Sequence, residues 1–319
     1  MRDVIGVRRG SRIARFAAHA AAAALVFACV QDPRPLQAQA QSACTIPDIS
    51  GVVWIEGDMF MAVHDAKNGT HNDRPRVSLV WRSVSKDGVR WQPLDVAWPE
   101  PQGPSNDLES IARIPGTRSV LLAESGSDGT AFQRIFLATL GDANDLVIGQ
   151  VVNWPEPVFN VESTAVVKLG EQFYFLYAER AEGQSSTQIR WATMQLNPLG
   201  FGPFQSARYT ARLKGPGVRP LVSLEADSAG NIYGATAYDT DNDDGPFRSM
   251  ASRIGQFRAT PGGGARLVLS IPSATLATQD GLKIEGVAVR EAPGEPMQIY
   301  VGTDDEHCGG ILRQVRPME

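Results

Sequence analysis

The segment Leu-Glu-Ser-Ile-Ala (residues 108–112), followed after a Pro-Gly turn by Val-Leu-Leu-Ala-Glu (residues 120–124), decides the fold of this chain. Both segments are too short for a stable helix and are rich in branched apolar residues. They are therefore typical of two antiparallel strands joined by a turn. Glu109 stands second in the first segment, and Glu124 ends the second one.

The same pattern of a polar residue in a short strand, a turn and an apolar strand recurs four more times. The other copies comprise residues 49–53 with 60–65, 161–165 with 173–179, 224–227 with 232–236, and 284–288 with 299–304. Aligned on their polar position, the five copies follow one another at steps of 59, 53, 63 and 60 residues. A period of this length indicates β-propeller blades with long loops.

Further strands complete each repeat. Third strands fit at residues 76–81, 134–140, 188–194, 252–257 and 310–315, and outer strands fit at residues 89–96, 147–153, 206–212 and 265–270. We predict an all-β, single-domain β-propeller with five four-stranded blades, although six blades with one degenerate blade would also fit. Because the fifth blade lacks an outer strand, the segment around residues 44–46 is expected to supply it and close the ring. This placement brings Cys44 close to Cys308.

The first 40 residues have the features of a secretory signal. Five arginines precede an Ala-rich apolar run at residues 17–30, and Ala38-Gln39-Ala40 offers a small-residue cleavage site. The run is shorter than the ~20 apolar residues that span a bilayer. We predict a signal peptide over residues 1–40, a mature domain over 41–319, and export to the periplasm or the cell exterior. The Sec, twin-arginine and lipoprotein routes all stay open.

Export sets the charge and redox state of the mature chain. Residues 1–40 contain six Arg and two Asp, so 24 basic and 33 acidic residues remain and the net charge becomes −9. An acidic surface argues against nucleic acid or an anionic membrane as a partner. We expect a monomer that binds a small-molecule substrate or another ligand. Only Cys44 and Cys308 remain, and an oxidising compartment predicts a disulfide between them.

Inner strands line the central channel of a propeller, so residues at one point of the repeat form a ring around its axis. The ring positions are Ser50, Glu109, Glu162, Glu225 and Glu285. A turn cap or an arginine pair between blades would explain any one glutamate alone. Several carboxylates around one axis repel one another unless a cation or shared protons offset them. Oxygen ligands favour calcium over a transition metal, so we predict Ca²⁺ or another divalent cation on the axis.

This ring of Ser and Glu resembles that of the calcium-activated nucleotidase (apyrase) family of five-bladed propellers. The blade openings Glu-Ser/Gly-x-Ala also resemble bacterial phytase-like and esterase-like propellers. The resemblance implies a central calcium held by the five ring positions, although the nucleotidases more often have Ser where this chain has Glu225. It covers the repeat layout of the mature chain and not the nucleotidases' substrate-contacting residues, so it does not imply nucleotidase activity.

Loops after the second strands would surround one mouth of the channel, where propellers usually bind ligands. Catalytic candidates there are His64, Asp65 and Arg180, with His64 suited to acid/base work and Arg180 to phosphate contact. Candidates for substrate binding are Glu124, Glu179, Tyr238, Asp304 and His307. The acidic run at residues 239–245 departs from an EF-hand at its sixth and twelfth positions, which leaves a peripheral calcium site or a plain acidic turn.

Two functions fit these features. The first is a metal-dependent hydrolase of phosphate or ester bonds, and the alternative is a non-catalytic ligand- or protein-binding propeller with a structural calcium. The sequence has no G-x-S-x-G elbow, H-E-x-x-H, P-loop or C-x-x-C motif, so serine-elbow, zincin, P-loop and thioredoxin-like chemistry are not indicated. The fold alone cannot choose between the two functions, because function resides in the site.

Overall fold

Nearly every regular element that the structure describes is a β-strand. A computed structural model describes residues 46–71, 74–82, 90–101, 103–305 and 309–315. A single turn of 3-10 helix, Thr130–Phe132, is the one helical element within those ranges. No helix in them is long and apolar enough to cross a membrane. The signal segment, Cys44, His307 and Cys308 lie outside the described residues, so the signal peptide and the disulfide stay predictions.

The strands form five antiparallel sheets that follow one another along the chain. In chain order they are β1 (Gly51–Glu56), β2 (Met59–Val63), β3 (Val77–Trp81), β4 (Arg90–Pro93), β5 (Leu108–Arg113), β6 (Ser119–Glu124), β7 (Arg134–Leu140), β8 (Leu146–Asn153), β9 (Val161–Leu169), β10 (Gln172–Glu179), β11 (Ser186–Leu196), β12 (Leu199–Phe201), β13 (Gln205–Thr210), β14 (Val218–Ala226), β15 (Asn231–Tyr238), β16 (Arg248–Ala259), β17 (Ala265–Asp280), β18 (Ile284–Arg290), β19 (Gln298–Thr303) and β20 (Leu312–Val315).

Each sheet is one blade. Blades 1, 2 and 4 are the four-stranded sheets β1–β4, β5–β8 and β14–β17, and in blade 3 both β12 and β13 pair with β11. Blade 5 contains β18, β19 and β20. The five inner strands are β1, β5, β9, β14 and β18, and each contacts the inner strands of both neighbouring blades. Because β18 also contacts β1, the ring is closed, and the predicted five-bladed propeller is confirmed.

The N-terminal segment extends blade 5. Ile46 forms an antiparallel bridge with Gly310, and the Gly310 amide donates to the Ile46 carbonyl at 2.7 Å. Since Gly310 lies two residues before β20, this bridge lies where the missing outer strand is expected. Blade 5 therefore contains residues from both ends of the described chain. Because Ile46 leads into β1, this arrangement joins blade 5 to blade 1.

The hydrophobic core is divided into five clusters, one between each pair of neighbouring blades of the described chain. Successive residues of a strand point to opposite faces, so one strand serves two clusters. Ile111 packs between blades 1 and 2, whereas the next residue, Ala112, packs between blades 2 and 3. Burial of each Val, Leu, Ile or Phe side chain contributes about 1.5–3 kcal/mol, so these interfaces hold the ring together.

Blade 4 departs from the predicted strand bounds. Its inner strand β14 begins at Val218, six residues before the segment that the repeat assigned to it. Its outer strand β17 continues to Asp280, because it pairs with β16 along nearly the whole length of both strands. The register of pairing between β14 and β15 shifts between Arg219 and Ser223, and this irregularity accommodates the extra length of β14.

Candidate functional site at the mouth of the channel

One residue near the start of the inner strand occupies an equivalent position in blades 2, 3, 4 and 5. The first strand residue pairs with the end of the second strand in each of them: Leu108 with Glu124, Val161 with Glu179, Val218 with Tyr238, and Ile284 with Thr303. The residues that follow are Glu109, Glu162, Arg219 and Glu285, and Ser50 stands just before β1. Blade 4 therefore contributes a cation to the ring, where a carboxylate was predicted.

The structure places Glu225 away from the other ring residues, which corrects the predicted register of blade 4. Glu225 pairs with Tyr233 near the far end of β14. The charged groups that act on it are Arg113, Glu291 and Asp227, and burial raises its pKa to about 8. The sequence carried a signal for the right register. Glu109 and Glu162 precede the ends of their second strands by 15 and 17 residues, whereas Glu225 precedes Tyr238 by only 13.

Arg219 supplies an internal positive charge to the ring. Its Nη1 lies 3.2 Å from Glu285 Oε1, and its Nη2 lies 2.9 Å from Asp239 Oδ2 and 3.3 Å from Asp241 Oδ1. The side chain is only 6% exposed. Burial by itself lowers the pKa of Arg219, but Glu162, Glu285 and Asp239 together raise it. Arg219 therefore stays charged and offsets carboxylates for which the sequence predicted a metal ion.

Lys283 adds a second buried cation on the same side of the ring. Its ammonium lies 2.6 Å from Asp304 Oδ2 and 3.7 Å from both Asp239 Oδ2 and Glu285 Oε1. The predicted substrate-binding residue Asp304 is thus held in an ion pair. Burial raises the pKa of Glu285 well above its usual range, while Lys283 and Arg219 act to lower it.

Glu162 is buried next to Arg180, one of the predicted catalytic residues. Arg180 Nε lies 3.0 Å from Glu162 Oε1 and 3.3 Å from Glu182 Oε2. The other oxygen, Glu162 Oε2, has no hydrogen-bond partner among the described residues. Burial raises the pKa of Glu162 to about 8, because its effect outweighs the opposing charges of Arg219 and Lys283.

Three carboxylates converge between blades 1 and 2. Asp65, Asp107 and Glu109 each place one oxygen within 4.8 Å of the other two. Burial raises the pKa of Glu109 well above its usual range, and repulsion from Asp107 adds to it. Burial and repulsion from Asp304 and Asp107 raise the pKa of Asp65. The structure brings together two predicted residues, Asp65 and Glu109, which the sequence had assigned to different roles.

Asp107 completes this cluster and was missed by the sequence analysis. Its Oδ2 accepts hydrogen bonds from the Ser125 and Ser127 hydroxyls, the second at 2.8 Å. Lys67 Nζ lies 3.2 Å from its Oδ1. The backbone of Asp107 is left-handed, with φ of 61°, which turns the residue into the mouth just before β5 begins. In the sequence, the signal for Asp107 was its position directly before the predicted inner strand at residues 108–112.

Two predicted mouth residues are instead buried in the blades, which corrects their proposed roles. His64 is 3% exposed, and its ring nitrogens contact the Asp48 carbonyl at 2.6 Å and Ser78 Oγ at 2.8 Å. Burial lowers the pKa of His64 to about 4, so the ring is neutral and inaccessible to a substrate. Glu124 is fully buried and accepts hydrogen bonds from Arg134 Nε at 2.9 Å and the Asn106 amide at 2.8 Å.

The remaining predicted residues lie near the mouth or outside the described chain. Glu179 accepts a hydrogen bond from the Phe159 amide at 2.8 Å. Tyr238 ends β15 and packs partly buried against the core between blades 3 and 4. Ser50 is buried, and its amide donates to the Val63 carbonyl at 3.1 Å. His307 lies outside the described residues and stays a prediction.

The fold and these residues together define a five-bladed β-propeller with a charged channel mouth. Similar solved structures include an arabinanase from Bacillus subtilis, with 11% identity, 87% of this chain and 96% of that chain covered, and a TM-score of 0.45. An α-L-arabinanase from Cellvibrio cellulosa shares 9% identity over 84% of this chain and 91% of that chain, with a TM-score of 0.49. An endo-1,4-β-xylanase from Bacteroides thetaiotaomicron shares 11% identity over 84% of this chain and 90% of that chain, with a TM-score of 0.48.

No protein-family model and no curated protein matches the sequence. At these identities, the likeness to the solved structures concerns the path of the chain. It assigns neither a substrate nor a catalytic residue to this protein, whose chemistry must be inferred from its own side chains.

Proposed function

We propose that the protein is an exported, metal-dependent hydrolase of phosphate or ester bonds, with a divalent cation held by Asp65, Asp107 and Glu109. The convergence of their oxygens within 4.8 Å carries the proposal. Two oxygens bound to one Ca²⁺ at ~2.3–2.6 Å are at most about 5 Å apart. The three carboxylates therefore fit around one ion with little rearrangement.

The charges of this cluster favour a cation next to the axis over one on the axis. On the far side of the ring, Arg219 and Lys283 already offset Glu285 and Asp239. Beside the three carboxylates, Lys67 is the cation within ion-pair distance among the described residues, and it contacts only Asp107. When all three carboxyls are ionised around a bound ion, the cluster together with Lys67 has two net negative charges, which matches a divalent ion with oxygen ligands such as Ca²⁺.

The side chains around the cluster suit hydrolysis. A bound divalent cation would polarise the phosphoryl or carbonyl oxygen of a substrate. Lys67, whose side chain is 39% exposed, can pair with negative charge that develops on the substrate. Glu162, whose pKa burial raises to about 8, can hold a proton at neutral pH next to the cluster.

A substrate screen tests the proposal. Purified protein would be incubated with nucleotides, phytate and 4-nitrophenyl esters in calcium, in magnesium and in EDTA. Turnover of at least one substrate is expected, and EDTA should abolish it. Asp107→Asn, which removes one ligand charge, should lower kcat/KM by about 100-fold or more, whereas the exposed control Asp142→Asn should leave it unchanged.

Two results would contradict the hydrolase. Turnover that persists in EDTA would show that the carboxylate cluster does not act through a metal. Calcium binding without turnover of any substrate would instead support the non-catalytic propeller, in which the ion only links blades 1 and 2.

A further inference from the structure

Blade 3 contains a cavity of about 530 Å³ at the end of its strands nearest the mouth. Tyr177 on β10 pairs with Arg190 on β11, and Gln188 on β11 pairs with Arg208 on β13. These side chains point to the same face of the sheet and form the floor of the cavity. The volume lies within the range of about 300–1,000 Å³ that is usual for small-molecule sites.

The cavity has three arginines, and one of them is available to a ligand. Arg180 is paired with Glu162 and Glu182, and Arg190 Nη1 lies 3.2 Å from Glu156 Oε1. Arg208 differs, because no carboxylate of the described residues lies within ion-pair distance of it. Its Nε donates to Ser186 Oγ at 2.9 Å, which orients the guanidinium and leaves the Nη donors available. A planar guanidinium of this kind recognises carboxylate and phosphate groups with two parallel hydrogen bonds.

The rest of the lining offers paired donors and acceptors beside an apolar surface. Asn160, Gln184 and Gln188 line the cavity, and each of their amides can both donate and accept hydrogen bonds, as vicinal hydroxyl groups require. Phe159 lies at the edge with 71% of its surface exposed, which is unusual for so large an apolar residue. Its ring can cover the C–H face of a saturated sugar ring.

We propose that this cavity binds a polyhydroxylated ring that bears an oxyanion, namely a sugar acid or a sugar phosphate. Arg208 and Ser186 hold the oxyanion, the side-chain amides bind the hydroxyl groups, and Phe159 packs on the ring. Arg180 and Arg190 are already paired with carboxylates, so the guanidinium of Arg208 is the charge that favours an anion over a neutral sugar. The site uses none of the three carboxylates assigned to the cation, so it does not depend on the hydrolase activity.

Calorimetric titration of the full-length mature protein in EDTA tests this site without any contribution from a metal. The probes are glucuronate, glucose 6-phosphate and neutral glucose. We expect at least one of the two anions to bind with Kd below ~1 mM and at least about 10-fold more tightly than glucose. Stronger binding of glucuronate would identify the carboxylate as the natural group, and stronger binding of glucose 6-phosphate would identify the phosphate.

Two variants and a matched control locate the site. Arg208→Gln should weaken binding of the anion by at least about 10-fold, and Phe159→Ala should weaken the anion and glucose alike. Both residues are exposed, so an unchanged circular dichroism spectrum is expected to show that the variants fold. Arg266→Gln changes an exposed arginine on an outer strand of blade 4 and should leave binding unchanged. Equal binding of anions and glucose, full affinity in Arg208→Gln, or no binding of either anion at ~10 mM would overturn the proposal.

Discussion

The guanidinium of Arg219 lies 3.2 Å from the carboxylate of Glu285, so the ring residue of blade 4 neutralises the ring residue of blade 5. Both side chains are less than a tenth exposed. An ion pair at this position links two neighbouring blades beside the channel and offsets the charge of Glu285 without a metal ion. The mouth therefore has two halves. At blades 3 to 5, basic side chains offset the carboxylates, whereas the half at blades 1 and 2 is acidic.

Replacing Arg219 should destabilise the protein strongly. Arg219→Gln leaves Glu285 and Asp239 with Lys283, at 3.7 Å, as their remaining buried cation. Breaking one side of a buried ion pair costs about 3–5 kcal/mol. Urea denaturation at pH 7.5 measures the loss. The loss should be smaller at pH 5, because burial already raises the pKa of Glu285 and the freed carboxyl can take up a proton. Arg248→Gln breaks a fully exposed pair with Asp280 and should have little effect; equal midpoints for the two variants would contradict the role of Arg219.

Calcium should raise the melting temperature if Asp65, Asp107 and Glu109 hold it. At ~100 times its dissociation constant, the ion adds about 2.7 kcal/mol to the free energy of unfolding. For a chain of this size, that corresponds to roughly 5 °C. Differential scanning calorimetry in calcium and in EDTA would measure the shift. Asp107→Asn should remove most of it and Asp142→Asn none, whereas identical melting in calcium and EDTA for the unmodified protein would refute a cation site.

His64 should contribute to stability and not to catalysis. Its pKa in the folded protein is about 4, below the 6.5 of a free histidine, so folding favours the neutral ring. The contribution is therefore complete above pH 6.5 and is lost as the pH falls toward 4, by up to about 3 kcal/mol. His64→Gln should lower stability at pH 7.5 by about 1–3 kcal/mol and flatten the acid limb of the stability curve. A variant that keeps full stability but loses hydrolysis would restore the catalytic role that the sequence indicated.

Glu225 should have the opposite dependence on pH. Burial raises its pKa to about 8 from 4.5, so the folded protein favours the protonated carboxyl. Its contribution is complete below pH 4.5 and is lost as the pH rises through 8. Glu225→Gln keeps the shape without the charge and should stabilise the protein at pH 8 by on the order of 1–4 kcal/mol, with no gain at pH 4. Chemical unfolding at both values measures this difference, and a variant less stable than the parent at pH 8 would show that Glu225 is needed as an anion.

The fold prediction was correct for strands whose pattern lies within one short segment of the sequence. The segments at residues 108–112 and 161–165 each combine an inner-strand pattern with a polar second position, and both lie where the repeat assigned them. It failed in blade 4, because β14 contains Arg219 near one end and Glu225 near the other. Strand register is set by hydrogen bonding to the neighbouring strand, and the irregularity after Arg219 shifts it in a way that the apolar pattern does not reveal.

The sequence by itself indicated five repeats, with six blades left open, because the inner and second strands carry local runs of apolar residues bounded by turns. It also determined that polar residues recur near the start of the inner strands. Only the tertiary structure decided which charges meet. Asp65 belongs to blade 1 and Asp107 to blade 2, yet their carboxylates lie within 4.8 Å, and Arg219 reaches Glu285 across a blade boundary. Electrostatic energy depends on distances in space, and closing the ring sets those distances independently of separation along the chain.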